Sequence, residues 1–70
     1  MHEKIKFADI LIGTYFSVGA PKEVLYFKIE ETELWENGYV DTVNAVVIKG
    51  LMPGVLTTFP DDYEVYAEII

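Results

Sequence analysis

Short runs of alternating apolar and polar residues, separated by turn signals, make up most of this 70-residue chain. No segment keeps the 3.6-residue period of an amphipathic helix, whereas the two-residue period of β-strands recurs along the chain. About five short strands are therefore predicted, joined by Gly- and Pro-containing turns. The five main runs are Thr14–Val18, Val24–Ile29, Asn44–Gly50, Val55–Phe59 and Tyr63–Ile70, and Lys4–Phe7 is a candidate edge strand.

The segment EETELWENGYVDT, which begins at Glu30, has the pattern of a β-hairpin. Its Asn37-Gly38 pair is typical of a type I′ turn, which needs positive φ angles at both central residues. We expect a hairpin extension at about residues 30–43 on a single domain that spans residues 1–70. Leu34 is the better candidate to pack inward, and Trp35 is either an exposed aromatic or a half-buried lid on the domain.

The pattern predicts an all-β fold, either a single small antiparallel barrel or a strongly curled sheet. An SH3-like arrangement fits better than an OB-like one, because the strands are short and the hairpins are consecutive. If Lys28 and Lys49 face water, the period of two directs alternate residues of their strands into the core. The predicted inward residues are Ile5 or Phe7, Leu11, Phe16, Val18, Leu25, Phe27, Ile29, Val46, Ile48, Phe59 and Val65.

Four segments occur in a characteristic order: FADILIGTYF from Phe7, YFKI from Tyr26, NAVVIKG from Asn44 and TTFPDDYEV from Thr57. Together they resemble a type of short open reading frame of tailed bacteriophages, over about residues 7–65. The resemblance implies a small phage-encoded β-protein of unassigned function, located in the host cytoplasm, with no catalytic residues to transfer. The chain departs from that pattern by a longer segment at residues 30–43 and a longer turn after Lys49.

Charge narrows the classes of partner. Twelve acids face five lysines and no arginine, which gives a net charge of −7. Affinity for nucleic acid comes mainly from Lys and Arg, so direct binding to DNA or RNA is not expected. A negative field favours basic protein partners instead. No run of 18 apolar residues occurs, so no membrane-spanning helix is expected.

The sequence offers no set of residues for catalysis or for a cofactor. His2 is the single histidine, the chain has no cysteine, and no nucleophile–base pair can be built from it. Glu30-Glu31 would point to opposite faces of a strand, and Asp61-Asp62 after Pro60 is typical of a β-turn. Two carboxylates are also far fewer than the oxygen ligands that Ca²⁺ takes. We therefore expect a protein that is not an enzyme and that binds no metal or cofactor.

Two functions remain open from the sequence. The first is a protein-interaction module that docks its acidic hairpin on a basic, nucleic-acid-binding host or phage protein, since exposed Trp and Tyr often anchor interfaces. The residues assigned to partner binding are Glu31, Glu33, Trp35, Glu36, Tyr39 and Asp41. The alternative is a homo-oligomeric structural or virion-assembly component, with subunit contacts from apolar faces and from the C-terminal Ile69 and Ile70. The tyrosines outside the hairpin are expected on the surface.

Overall fold

The computed structural model describes residues 4–19, 24–50 and 52–68. These residues form six β-strands and one turn of 3-10 helix. In chain order the elements are β1 (Lys4–Lys6), the 3-10 turn (Phe7–Asp9), β2 (Tyr15–Ser17), β3 (Leu25–Glu36), β4 (Tyr39–Lys49), β5 (Leu56–Thr57) and β6 (Glu64–Glu68). No helix within the described ranges has the length and apolar character needed to cross a membrane.

All six strands belong to one antiparallel sheet with the order β1-β6-β2-β3-β4-β5. The prediction of an all-β antiparallel fold is confirmed. The sheet is not closed, and β1 and β5 are its two edges. Two strands are much longer than predicted, because the hairpin at residues 30–43 continues the flanking strands. No Gly or Pro interrupts residues 25–36 or 39–49, so nothing in those segments ends a strand.

The core is a cluster of aromatic rings on one face of the sheet. Phe7 and Phe16, both predicted to point inward, are buried and meet edge to face with their ring centroids 5.3 Å apart. Phe59 reaches the cluster from the segment that follows β5 and stacks on Phe7 at 5.5 Å. Since Phe7 follows one edge strand and Phe59 follows the other, this contact curls the sheet over the cluster.

Aliphatic residues complete the core around these rings. Ile10, Ala45 and Val65 are buried with the aromatic pair, and Ile5, Val18, Tyr26 and Ala67 pack against them. The inward assignments of Ile5, Phe7, Phe16, Val18, Phe59 and Val65 are confirmed.

The face of β3 that meets the core is the opposite of the predicted one. The ring of Tyr26, which we expected on the surface, stacks on Phe16 with centroids 5.3 Å apart. Phe27 instead packs on Tyr15, on the other face of the sheet, at 4.9 Å. The assignment of Phe27 to the core is therefore wrong. Its predicted companions Leu25 and Ile29 are likewise only half-buried and lie outside the core cluster.

Strand β4 shows the same reversal, because residues paired across antiparallel strands project from the same face. Val47 pairs with Tyr26 and so faces the core side, whereas Val46 pairs with Phe27 on the other side. Ile48, predicted to point inward, is exposed. Leu11 is also wrongly placed in the core: it is 79% exposed, and its neighbour Ile10 takes the buried position.

Lys28 explains the reversal on β3. We expected this side chain in water, but it is half-buried and its Nζ donates hydrogen bonds to the carbonyl oxygens of Phe7 (2.8 Å) and Ile10 (2.7 Å). The same ammonium group lies 4.5 Å from the centroid of the Phe7 ring. The apolar stem of a lysine can cover a core while its charged end finds polar partners. Lys28 thus fastens the 3-10 turn and the residue after it to the sheet.

Lys28→Met is expected to lower the free energy of unfolding by about 1–3 kcal/mol. Methionine keeps the apolar stem but removes a charged donor from two carbonyl oxygens, and hydrogen bonds to charged groups contribute about 1.5–3 kcal/mol each when well shielded. Urea denaturation followed by far-UV circular dichroism measures the loss. Lys49→Met, at the exposed end of β4, is the matched control and should stay within about 0.5 kcal/mol of wild type. Equal effects of the two substitutions would show that the Lys28 contacts contribute nothing.

Candidate protein-interaction surface

Residues 30–43, called the acidic arm below, form a two-stranded ribbon that extends from the sheet. The predicted two-residue turn is present: β3 ends at Glu36, β4 begins at Tyr39, and φ is 50° at Asn37 and 81° at Gly38. Both angles are positive, as a type I′ turn requires. Glycine is needed at the second turn position because a side chain strains a backbone with that φ angle.

The arm has little support from the rest of the sheet. Strand β2 pairs with β3 only at Tyr26 and Phe27, and β5 pairs with β4 only at Ala45 and Val46. Among the described strands, the arm residues therefore pair only with each other. The molecule is correspondingly elongated, with extents of 43 × 25 × 18 Å. A two-stranded ribbon is marginally stable alone in water, and its unpaired edges and both its faces are open to a partner.

The register of the arm divides the candidate residues between its two faces. Trp35 pairs with Val40 and Glu33 with Thr42, and these pairs occupy one face. The pairs of Leu34 with Asp41 and of Glu36 with Tyr39 occupy the other face. A partner with a flat surface can therefore contact only one of the two sets. Glu31 lies in the irregular stretch between Lys28 and Thr32, where the register of β3 against β4 shifts.

The position of Trp35 answers the question left open by the sequence. Its side chain is 72% exposed, so Trp35 is not a lid on the core. Leu34, on the opposite face, is 38% exposed and is the more covered of the two, although it is not buried. Tyr39 is 75% exposed. All six residues assigned to partner binding are exposed. The arm thus presents one large aromatic side chain on each face.

The electrostatic character of the arm is uniformly negative. Five carboxylates lie within residues 30–43, and no lysine occurs between Lys28 and Lys49. The Lys28 ammonium is engaged at the base of the arm by two backbone carbonyl oxygens. The charge of the arm is therefore not balanced by a base on the arm itself. Apolar side chains surrounded by carboxylates suit a basic partner with an apolar contact surface.

The carboxylates outside the arm do not gather into a metal-binding group in the part of the chain that the structure describes. The described residues hold no group of three or more His, Asp or Glu side chains that could bind a metal ion. Asp61 and Asp62 occupy a β-turn, as predicted, closed by a hydrogen bond from Tyr63 N–H to the Pro60 carbonyl oxygen at 3.1 Å. His2, Ile69 and Ile70 lie outside the described residues.

A second exposed surface lies at the base of the arm, and the sequence analysis does not predict it. Leu11 and Ile12 are 79% and 61% exposed, beside a groove of about 380 Å³ that Glu31 and Asp61 also line. The apolar pattern predicts Leu11 in the core, and this prediction is wrong. The signal that could have located it was the turn around Gly13, whose φ is 91°. Because the chain turns there, the alternation of inward and outward side chains that holds along a strand does not apply to Leu11.

Comparisons with protein families, with curated proteins and with solved structures find no match to this chain.

Proposed function

We propose that the protein is a non-enzymatic interaction module that docks its acidic arm on a basic surface of another protein. The observation that carries this proposal is the exposure of Trp35 on an arm whose charged side chains are all carboxylates. Removing a large aromatic ring from water supplies affinity, and complementary charge accelerates the encounter and selects the partner. A basic nucleic-acid-binding protein fits this description, because the carboxylates would occupy positions that phosphates take in its groove.

The Trp35 face of the arm is the proposed contact face. On this face the indole of Trp35 lies opposite the exposed Val40 on the neighbouring strand, and Glu33 follows on the same strand as Trp35. The apolar pair therefore has an acidic side chain next to it. On the opposite face each apolar residue is paired directly with a carboxylate, Leu34 with Asp41 and Tyr39 with Glu36. Interfaces tend to exclude charge from their centre and to place it at the rim, which favours the Trp35 face.

The resemblance to short phage reading frames supports a phage origin, and with it a place of action in the host cytoplasm. The consecutive pairing of β2, β3, β4 and β5 supports the SH3-like arrangement expected from the sequence. If both hold, the partner is a host or phage protein that the module would inhibit or recruit.

Trp35→Ala is expected to weaken binding of the partner by about tenfold or more, because a central aromatic residue often dominates the energy of an interface. The partner is first captured from host lysate on the immobilised chain and then purified. Dissociation constants are next measured by isothermal titration calorimetry. Tyr39→Ala truncates an equally exposed ring on the opposite face and should have a smaller effect. If Trp35→Ala binds the purified partner as tightly as wild type, the arm is not the docking element.

The contribution of the arm's carboxylates to partner binding is tested with two triple variants that change the net charge equally. Neutralising Glu31, Glu33 and Glu36 to Gln should weaken binding and reduce its dependence on salt. The control neutralises three exposed acids elsewhere, Asp9, Asp62 and Glu64, and so changes the net charge by the same amount. Equal loss in both triple variants would mean that net charge, not the arm, attracts the partner.

A homo-oligomeric structural component is the second candidate, and the unpaired edges of the arm favour it. Exposed strand edges can add a strand from another copy. Size-exclusion chromatography with light scattering separates the two candidates. A stable closed oligomer supports the structural role, and a monomer that binds a basic protein supports the interaction module.

A further inference from the structure

The loop that follows the 3-10 turn is firmly attached to the sheet. Gly13 N–H donates to the carbonyl oxygen of Lys28 at 2.8 Å, and Lys28 N–H donates to that of Thr14 at 3.0 Å. Thr14 N–H also donates to the Leu11 carbonyl oxygen at 3.1 Å, which closes the turn. Buried Ile10 anchors the start of the loop in the core. The backbone of the next two residues, Leu11 and Ile12, is thus held in place by the fold.

These bonds hold two large aliphatic side chains in water. Leu11 and Ile12 are adjacent in the chain and are 79% and 61% exposed. Single exposed apolar residues are common on proteins, but a pair on a fixed loop beside a groove is typical of a binding surface. The groove next to them, about 380 Å³, reaches the buried Phe7 and Ile10. Its volume suits one or two side chains of a partner.

Carboxylates flank this apolar groove. Glu31 reaches it from the base of the acidic arm and Asp61 from the turn before β6. The one base that lines the groove, Lys28, already donates to two backbone carbonyl oxygens. The amide of Asn44, which also lines the groove, is likewise engaged by the Phe59 backbone. The side chains that remain to meet an occupant are therefore apolar and acidic. A second copy of this chain is a poor match, because its net charge is also −7 and like charges repel.

We propose that this groove, called the anchor groove below, receives one large apolar side chain from a basic segment of the protein that the arm docks on. The anchor is inserted against Leu11 and Ile12, and lysine or arginine residues beside it in the partner pair with Glu31 and Asp61. This proposal rests on the proposed function for the identity of the partner, but it uses a separate surface. Because Glu31 belongs to both surfaces, one partner can contact them continuously.

The test uses two probe peptides and the isotope-labelled full chain. One peptide alternates lysine and serine around a central leucine, and the other carries serine in place of that leucine. Amide shifts in two-dimensional NMR spectra give both the location and the affinity of binding. The leucine peptide should bind at least fivefold more tightly than the serine peptide and should shift Leu11, Ile12 and Ile29. Ile12→Ser should abolish that preference, whereas Trp35→Ala should leave it intact.

Met52→Ser is the matched control, since it removes an equally exposed apolar side chain from the turn between β4 and β5. It should keep the preference for leucine. All three variants alter exposed positions, so dispersed spectra should show that each remains folded. The inference is supported only if the preference depends on Ile12 and not on Met52.

The remaining outcomes separate the two proposals. If both peptides bind with equal affinity and Trp35→Ala abolishes that binding, the anchor groove is overturned and the arm is supported. A preference for leucine that survives Ile12→Ser would also overturn the groove. If neither peptide binds, the anchor groove is overturned, whereas the arm proposal is decided separately by the capture of a partner from host lysate. A dimer that Ile12→Ser dissociates would show that the occupant is a second copy, and it too would overturn the inference.

Discussion

Phe16→Ala is expected to lower the free energy of unfolding by about 3–5 kcal/mol, the range found when a buried phenylalanine is truncated. The Phe16 ring is completely buried and contacts the rings of Phe7, Tyr26 and Phe59, each with centroids 5.3 Å away. Alanine would remove all three contacts and leave a cavity that the surrounding strands cannot fill. A 70-residue domain has a total stability of about 4–10 kcal/mol, so a large share of it would be lost.

Urea denaturation followed by far-UV circular dichroism measures this loss. Trp35→Ala, an even larger truncation but at an exposed position, is the control and should change stability by no more than about 0.5 kcal/mol. If Phe16→Ala does not fold, Phe16→Leu keeps enough volume to give a measurable, smaller loss. A Phe16→Leu variant as stable as wild type would contradict the position of this ring at the centre of the core.

Asn44→Ala is expected to cost about 2–4 kcal/mol. The Asn44 amide group donates to the Phe59 carbonyl oxygen and accepts from the Phe59 N–H, both at 2.9 Å. A buried backbone group left without its partner costs about 1–3 kcal/mol. The N–H and the carbonyl of half-buried Phe59 would both lose their partner, so the expected total lies in the lower part of the summed range. The two bonds hold the segment after β5 against β4. Without them, the Phe59 ring loses its fixed position in the aromatic cluster.

Two measurements distinguish this mechanism from a simple loss of packing. Asn44→Asp keeps the size of the side chain but removes the donor, so it should also destabilise the protein. Hydrogen exchange of the Phe59 amide should accelerate more than that of amides in β2. Thr42→Ala, at an exposed position in the same strand, should leave both stability and exchange unchanged. Slow exchange at Phe59 in Asn44→Ala would show that other contacts hold the segment.

The sequence predicted the parts of this fold that depend on local chemistry. The turn at Asn37-Gly38 was predictable because few residue pairs accept two positive φ angles. The β-turn at Asp61-Asp62 was predictable for a similar reason, from the proline before it and the turn preference of aspartate. In both cases the residues that determine the conformation are neighbours in sequence, so no tertiary contact was needed.

The wrong predictions concern residues whose positions depend on tertiary contacts, which cannot be inferred from a local sequence pattern. Lys28 was expected in water because of its charge, yet two carbonyl oxygens from a distant turn satisfy its ammonium group. Because side chains alternate along a strand, that one assumption reversed the faces of β3. On β4 the exposed Lys49 does face water, but the register shifts between the Leu25–Lys49 and Tyr26–Val47 pairs, so counting alternate residues back from Lys49 assigned the wrong faces. Asn44 likewise gave no local sign that its amide pairs with Phe59.

The candidate site was partly predictable for the same reasons. The acidic arm and its exposed residues follow from the turn pair and from composition, both of which are local. The split of its residues between two faces follows from the register, which the turn determines. The anchor groove was missed, because Leu11 and Ile12 are apolar residues next to the core residue Ile10. Only the path of the chain around Gly13 shows which of the three is buried.

The position of β6 in the sheet has a consequence for how the protein folds. β6 lies between β1 and β2, with pairs such as Lys4 with Tyr66 and Tyr15 with Glu68. These contacts join residues far apart in sequence, whereas the pairs of the acidic arm join residues close to its own turn. Proteins rich in such long-range pairs fold in milliseconds to seconds, whereas a hairpin closes in microseconds. The arm can therefore form early as an independent ribbon, while the sheet is completed only when β6 inserts between the first two strands.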